Sequence, residues 1–260
     1  MTPAPYPALE AGLVGLLGLM IGSFLNVCIY RLPLRLSPVR PRSSCTKCGH
    51  VLSWYENIPI GSYVVLRGQC RGCGASISPM YPIVEAVTGL MFLGGYLLYG
   101  PSPLLVARLA FGCAMIVLFV IDLQHRILPD VITLPGIAAG LLLSEVAGPG
   151  WKASLIGAVV GYGSLYLIAV GYRRLRGIEG MGGGDLKMLA MVGAFLGWQM
   201  VFVTALFASF SGTIIGAAFI IAKGKSSRYQ LPFGCFLAVG AILAAAVGEP
   251  LLQWWLGLFP

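Results

Sequence analysis

The sequence predicts an all-α polytopic membrane protein of about eight transmembrane helices, with a small zinc-ribbon-like loop between the first two. Three observations carry that prediction. Apolar residues make up 58% of the 260-residue chain and charged residues only 10%, against roughly 25% charged in a soluble domain. The apolar runs reach about 18–20 residues, which suits helices crossing a hydrocarbon core about 30 Å thick; barrel strands are shorter and alternate in polarity. The one long polar loop holds two Cys-x-x-Cys pairs. The same figures exclude a soluble globule, a disordered chain, collagen and a coiled coil.

Eight spans follow in order: Ala11–Tyr30, Ile83–Tyr99, Pro103–Ile121, Val131–Val146, Ala153–Val170, Leu186–Trp198, Met200–Ala222 and Leu231–Val247. They divide the chain into an outer N-terminus with the first helix (1–30), a cytoplasmic four-cysteine loop (31–82) and a seven-helix membrane core (83–260). The first span is read as a retained helix, not a signal peptide. Met1–Glu10 carries no basic residue and ends in Glu10, while Arg31 and Arg35 follow the apolar run.

The net charge of +8 invites a nucleic-acid reading, which the distribution of the charges removes. Of the 17 basic residues, all but Arg108 and Lys152 fall at loops that alternate to one side. The positive-inside rule makes that side cytoplasmic and places both termini outside. The basic balance reports topology, with anionic membrane lipid as counter-charge and no nucleic acid needed.

Cys45-Thr-Lys-Cys48-Gly49 and Cys70-Arg-Gly-Cys73-Gly74 repeat one pattern within the long loop. Two such turns present four thiolates tetrahedrally, which points to a structural zinc held by Cys45, Cys48, Cys70 and Cys73. About fifty residues build little core, so a metal staple is physically useful. Disulfides are disfavoured in a cytoplasmic loop, and a redox Cys-x-x-Cys is not normally duplicated. His50 reads as solvated, and Cys28, Cys113 and Cys235 as packing residues in apolar spans.

A carboxylate near hydrocarbon needs a reason. Among the nine acidic residues, Glu10, Glu145 and Glu249 sit at outer ends and Glu56 in the polar loop. Asp122 closes the third span in Val120-Ile-Asp122, and Asp185 opens the sixth in Gly182-Gly183-Gly184-Asp185-Leu-Lys187. Both then reach the cytoplasmic face, where two carboxylates on different helices share a proton, one acting as base toward water and the other as acid toward a carbonyl. The helix dipole disfavours an anion at the end of a helix, so capping does not account for Asp122. For Asp185 an N-cap after a glycine turn is the alternative. Asp130, after Pro129, reads as an N-cap. Glu179 and His125 read as solvated.

These residues, taken together, resemble the type IV prepilin leader peptidases of the bacterial inner membrane. The resemblance rests on Gly22-Ser-Phe-Leu-Asn26, Tyr30-Arg31-Leu-Pro33, the cysteine pairs, Trp54-Tyr-Glu-Asn57-Ile-Pro59, Tyr81-Pro82-Ile-Val-Glu85, the Asp122–Asp130 segment, the glycine run with Asp185 and Lys187, and Leu231-Pro-Phe-Gly234. It implies a GxGD-type aspartyl endopeptidase, with Asp122 and Asp185 as the catalytic pair, acting at the cytoplasmic face of the inner membrane. Such enzymes cut prepilins and pseudopilins after the leader glycine, and many then methylate the new N-terminal amine with S-adenosylmethionine. Gly182, Gly183, Gly184, Lys187 and Glu85 are the candidate substrate-binding residues. Glu85 holds the substrate amine or neutralises a neighbouring cation. The chain departs from the family at Ser78-Pro79-Met80, where a basic residue usually precedes the Tyr-Pro-x-x-Glu stretch. The cofactor-binding residues are not legible. The rival classes are a zinc-ribbon membrane assembly factor without catalysis and a membrane thiol oxidoreductase; neither needs a carboxylate pair.

Overall fold

The computed structural model describes residues 7–178, 181–223 and 232–258. Its helices are α1 (Ala8–Arg31), a short α2 (Gly61–Val65), α3 (Met80–Tyr99), α4 (Pro103–His125), α5 (Asp130–Ala147), α6 (Trp151–Arg176), α7 (Gly183–Leu196), α8 (Trp198–Lys223) and α9 (Phe233–Leu256). Every predicted span has its helix. Six of them (α1, α3, α4, α6, α8 and α9) are long and apolar enough to cross a membrane. The 14-residue α7 is too short to span unaided, at about 1.5 Å per residue.

Several boundaries differ from expectation for local reasons. The α6 helix runs on to Arg176, so Arg173, Arg174 and Arg176 occupy its last turn and not a loop. Cations there oppose the negative helix end. Gly177, with φ +70°, then stops the helix. The α7 helix starts at Gly183, so two of the glycines and Asp185 lie in its first turn. It ends at Leu196 because Gly197 takes φ +85°, and α8 starts directly after it. The α9 helix extends to Leu256 through Glu249 and Pro250. Leu231 and Glu179 lie outside the described residues.

The chain forms two compact units, Met1–Leu109 and Ala110–Pro260. In the first, α1 packs on α3 through small residues. A Cβ on Gly18 would meet Phe92 Cβ at 2.6 Å, and one on Gly22 would meet Glu85 Cα at 2.7 Å. Backbones approach this closely only where side chains are absent. Asn26, one turn beyond Gly22, donates from Nδ2 to the Tyr81 carbonyl at 3.0 Å. At the other end of the pair, the Tyr96 hydroxyl donates to the Glu10 carboxylate.

In the second unit α7 is the buried centre, with Met188, Leu189, Met191, Val192 and Ala194 fully buried. Neighbouring helices reach it at glycines: Gly157 against Gly193, Gly161 against the Leu189 backbone and Gly140 against Ala194. The Ser154 hydroxyl donates to the Ala194 carbonyl. Protein thus surrounds the body of α7, while its first turn, Gly183 to Asp185, is exposed or only partly buried.

Candidate active site and metal centre

Asp122 lies three residues before the end of α4 and is buried. The N-terminus of α9 fixes its carboxylate: the Cys235 N–H donates to Oδ2 at 2.9 Å. Gly234 permits that approach, since a Cβ there would stand 2.8 Å from the same oxygen and 3.0 Å from Leu128 Cδ1. The Cys235 thiol donates to the Phe119 carbonyl at 3.3 Å, locking the two helix ends together. Asp185, in the first turn of α7, lies within electrostatic reach of Asp122. Gly184 abuts Leu128, where a Cβ would come to 2.9 Å. Leu128 therefore packs against both glycines that flank the pair. Gly183, by contrast, has open space where a Cβ would be. The arrangement supplies two neighbouring carboxylates, one of them held by a backbone donor, beside a glycine backbone accessible to an extended chain.

Other expectations resolve differently. Asp130 is the first residue of α5, and Pro129, not Asp130, occupies the N-cap position. The Asp130 oxygens take Lys187 Nζ at 2.7 and 2.8 Å. A charge-assisted pair outcompetes a neutral amide for a carboxylate. Lys187 is thereby engaged between α7 and α5. His125 is exposed, as expected. His50 is partly exposed and also has a partner: its Nε2 lies 3.2 and 3.3 Å from the oxygens of buried Glu56. The Ser53 N–H, 2.7 Å from Glu56 Oε2, and then the His50 ring hold the Glu56 carboxyl below the usual carboxylate range. Cys28 and Cys113 are half-buried and Cys235 buried, in keeping with packing. The backbone role of Cys235 toward Asp122 had no signal in the sequence.

The two cysteine turns are built alike. Cys45 N–H donates to His50 O and Gly49 N–H to Cys45 O, at 2.8 and 2.9 Å; Cys70 N–H donates to Ala75 O and Gly74 N–H to Cys70 O, both at 2.8 Å. Gly49 and Gly74 take φ +73° and +67°, the left-handed region that favours glycine. Residue pairs Ser44–Val51 and Gln69–Ser76 bridge antiparallel beside them. The four Sγ atoms lie within 4.8 Å of one another, with Cys45–Cys73 and Cys48–Cys70 at 4.0 Å. Zn–S bonds of about 2.3 Å give a tetrahedron of edge about 3.8 Å, so the set fits zinc.

Residues 16–99 match the bacterial Peptidase A24 N-terminal domain, and residues 109–217 match the Type IV leader peptidase family. The chain belongs to the type IV leader peptidase family. Relatives named prepilin leader peptidase/N-methyltransferase agree along most of its length. The Myxococcus xanthus protein is 43% identical over 86% of this chain and 67% of its own length. The Aeromonas hydrophila protein is 36% identical over 97% and 96%. The Pseudomonas aeruginosa protein is 37% identical over 93% and 91%. No solved structure matches the chain.

Glu85, the remaining candidate of this family member, is buried in the first unit. Its Oε2 accepts the Ile60 N–H at 2.8 Å. Ile60 takes φ +58° to do so, a conformation costly for a β-branched residue.

Proposed function

We propose that this multi-pass membrane protein is a prepilin leader peptidase with N-methyltransferase activity. It removes the basic leader of type IV prepilins and pseudopilins after the leader glycine, then methylates the exposed amine. The observation that supports the peptidase reading is that Leu128 packs against both Gly184, which precedes Asp185, and Gly234, which stands beside Asp122, with the Asp122 carboxylate held by the Cys235 N–H. Neighbouring carboxylates resist joint ionisation and share a proton.

In this reading the ionised member takes a proton from water as the water oxygen attacks the scissile carbonyl carbon. The protonated member gives its proton to the carbonyl oxygen. When the resulting diol collapses, the C–N bond breaks and the leaving nitrogen takes the proton that came from water. The other carboxylate recovers a proton from the diol, and the pair again holds one proton. Gly183, with free space over its backbone, is positioned to let an extended leader junction lie alongside. Lys187 holds Asp130 and so sets the first turn of α7 against that of α5.

Cys45, Cys48, Cys70 and Cys73 hold the structural zinc of the 31–82 loop. S-adenosylmethionine, when bound, supplies the methyl group: a C–N bond forms, the C–S bond breaks with its electrons left on sulfur, and the nitrogen releases a proton. The charge distribution supports termini outside, an active site at the cytoplasmic face and anionic lipid around it.

The deciding experiment incubates the purified protein with a prepilin, with and without S-adenosylmethionine, and weighs the products. The expected result is leader loss in both cases and one added methyl group with the donor present. Intact prepilin in both cases would favour a zinc-ribbon assembly factor.

A further inference from the structure

Leu128 belongs to the connection 126–129 between α4 and α5. Its Cβ lies against Gly184 in the first turn of α7, where an added Cβ would stand 2.9 Å away. Its Cδ1 lies against Gly234 in the first turn of α9, where an added Cβ would stand 3.0 Å away. Asp185 directly follows Gly184, and Cys235, whose N–H holds Asp122, directly follows Gly234. One side chain therefore fills the gap between the segment that carries one carboxylate and the segment that holds the other.

The connection is tied down on both sides of that residue. Arg126 takes φ +57° at the end of α4, and its N–H donates to the Asp122 carbonyl at 2.9 Å. Pro129 restricts the backbone of the residue before it to extended conformations. The Pro129 carbonyl accepts the N–H groups of Ile132 and Thr133 at 3.0 and 3.3 Å. Lys187 links the start of α5 to α7 through Asp130. Protein interiors are close-packed, so a side chain held between two bare backbones fixes how far apart they stand. We propose that Leu128 is a positioning residue: acting through the Gly184 and Gly234 backbones, it sets the separation at which the Asp122 and Asp185 carboxylates share a water and a proton. The role rests on the aspartyl-peptidase reading above.

The test compares Leu128→Met, Leu128→Val and Leu128→Ala in the full-length zinc-containing protein, by steady-state prepilin cleavage and by thermal unfolding. Methionine still reaches Gly234 and should keep kcat within about threefold of wild type, since volume-conserving swaps are tolerated best. Valine and alanine both lack the atom that meets Gly234. Each should lower kcat about 10²-fold, the scale of a misplacement of about 1 Å. KM should change by less than about threefold, because the lost interaction is with the catalytic pair and not with bound substrate. A packing role alone would instead rank valine between methionine and alanine in rate as in stability. Leu196→Ala truncates the same core at the opposite end of α7; it should lower thermal stability and leave kcat near wild type.

Wild-type kcat in folded Leu128→Val and Leu128→Ala would overturn the assignment and leave the peptidase reading standing. A raised KM at unchanged kcat, or an equal loss of kcat in Leu196→Ala, would do the same. A wild-type protein that leaves prepilin intact would overturn both. If Leu128→Ala does not fold, the kcat of Leu128→Val against that of Leu128→Met decides.

Discussion

The backbone N–H of Cys235 donates a 2.9 Å hydrogen bond to Oδ2 of Asp122, joining residues 113 positions apart. The start of α9 thereby orients a carboxylate at the end of α4, where the dipole of its own helix repels an anion. The α9 terminus opposes that repulsion with its positive end, and Gly234 leaves room for it to do so.

Asp122→Asn and Asp185→Asn should each abolish measurable prepilin cleavage. General acid–base assistance is worth about 10²–10⁴-fold, and the pair also generates the nucleophile. Asn at 122 still accepts the Cys235 N–H, so membrane insertion and zinc content should stay at wild-type levels. Cleavage assays paired with metal analysis check this; normal cleavage by either variant would sink the assignment.

Adjacent glycines should separate packing from substrate approach. Gly184→Ala drives a Cβ to within 2.9 Å of Leu128 and should lower thermal stability. Gly183→Ala meets nothing within 4 Å and improves helix propensity by up to about 1 kcal/mol, so its stability should hold or rise. If Gly183 lies along the leader, its alanine variant should raise KM for prepilin. Unchanged kinetics would remove Gly183 from the substrate site.

The Asp130–Lys187 pair is partly exposed, with side-chain exposures of 55% and 31%. Such pairs are worth about 0–1 kcal/mol, so Asp130→Asn should keep most cleavage activity and shift stability little. A dead Asp130→Asn beside a normal Asp122→Asn would mean that Asp130, not Asp122, partners Asp185.

Zinc should be present at about one per chain, and Cys45→Ser should lose it together with the ordered loop. If the methyl donor binds around the loop and Glu85, loss of the loop should abolish methylation before cleavage. Mass spectrometry of products from the Cys45→Ser protein reads both activities. A folded loop with full zinc in that variant would contradict the ligand set.

The sequence by itself located the helices, the four cysteines that cluster and the two carboxylates proposed as the acidic pair. Each has a local or chemical signature: apolar run length, the repeated Cys-x-x-Cys-Gly turn, and carboxylates placed where hydrocarbon makes them costly. Tertiary structure alone decided what those groups touch. Lys187 read as a substrate ligand and Asp130 as a cap, yet they bond each other across 57 residues. His50 read as solvated and pairs with Glu56. The short α7 read as one membrane span among eight and is the packed centre of its unit, because glycines on α5 and α6 admit it. Periodicity and spacing report a residue's neighbours along the chain. A carboxylate's partner is chosen by helix packing, which brings distant backbone donors and cations within 3 Å and leaves no mark on the local pattern.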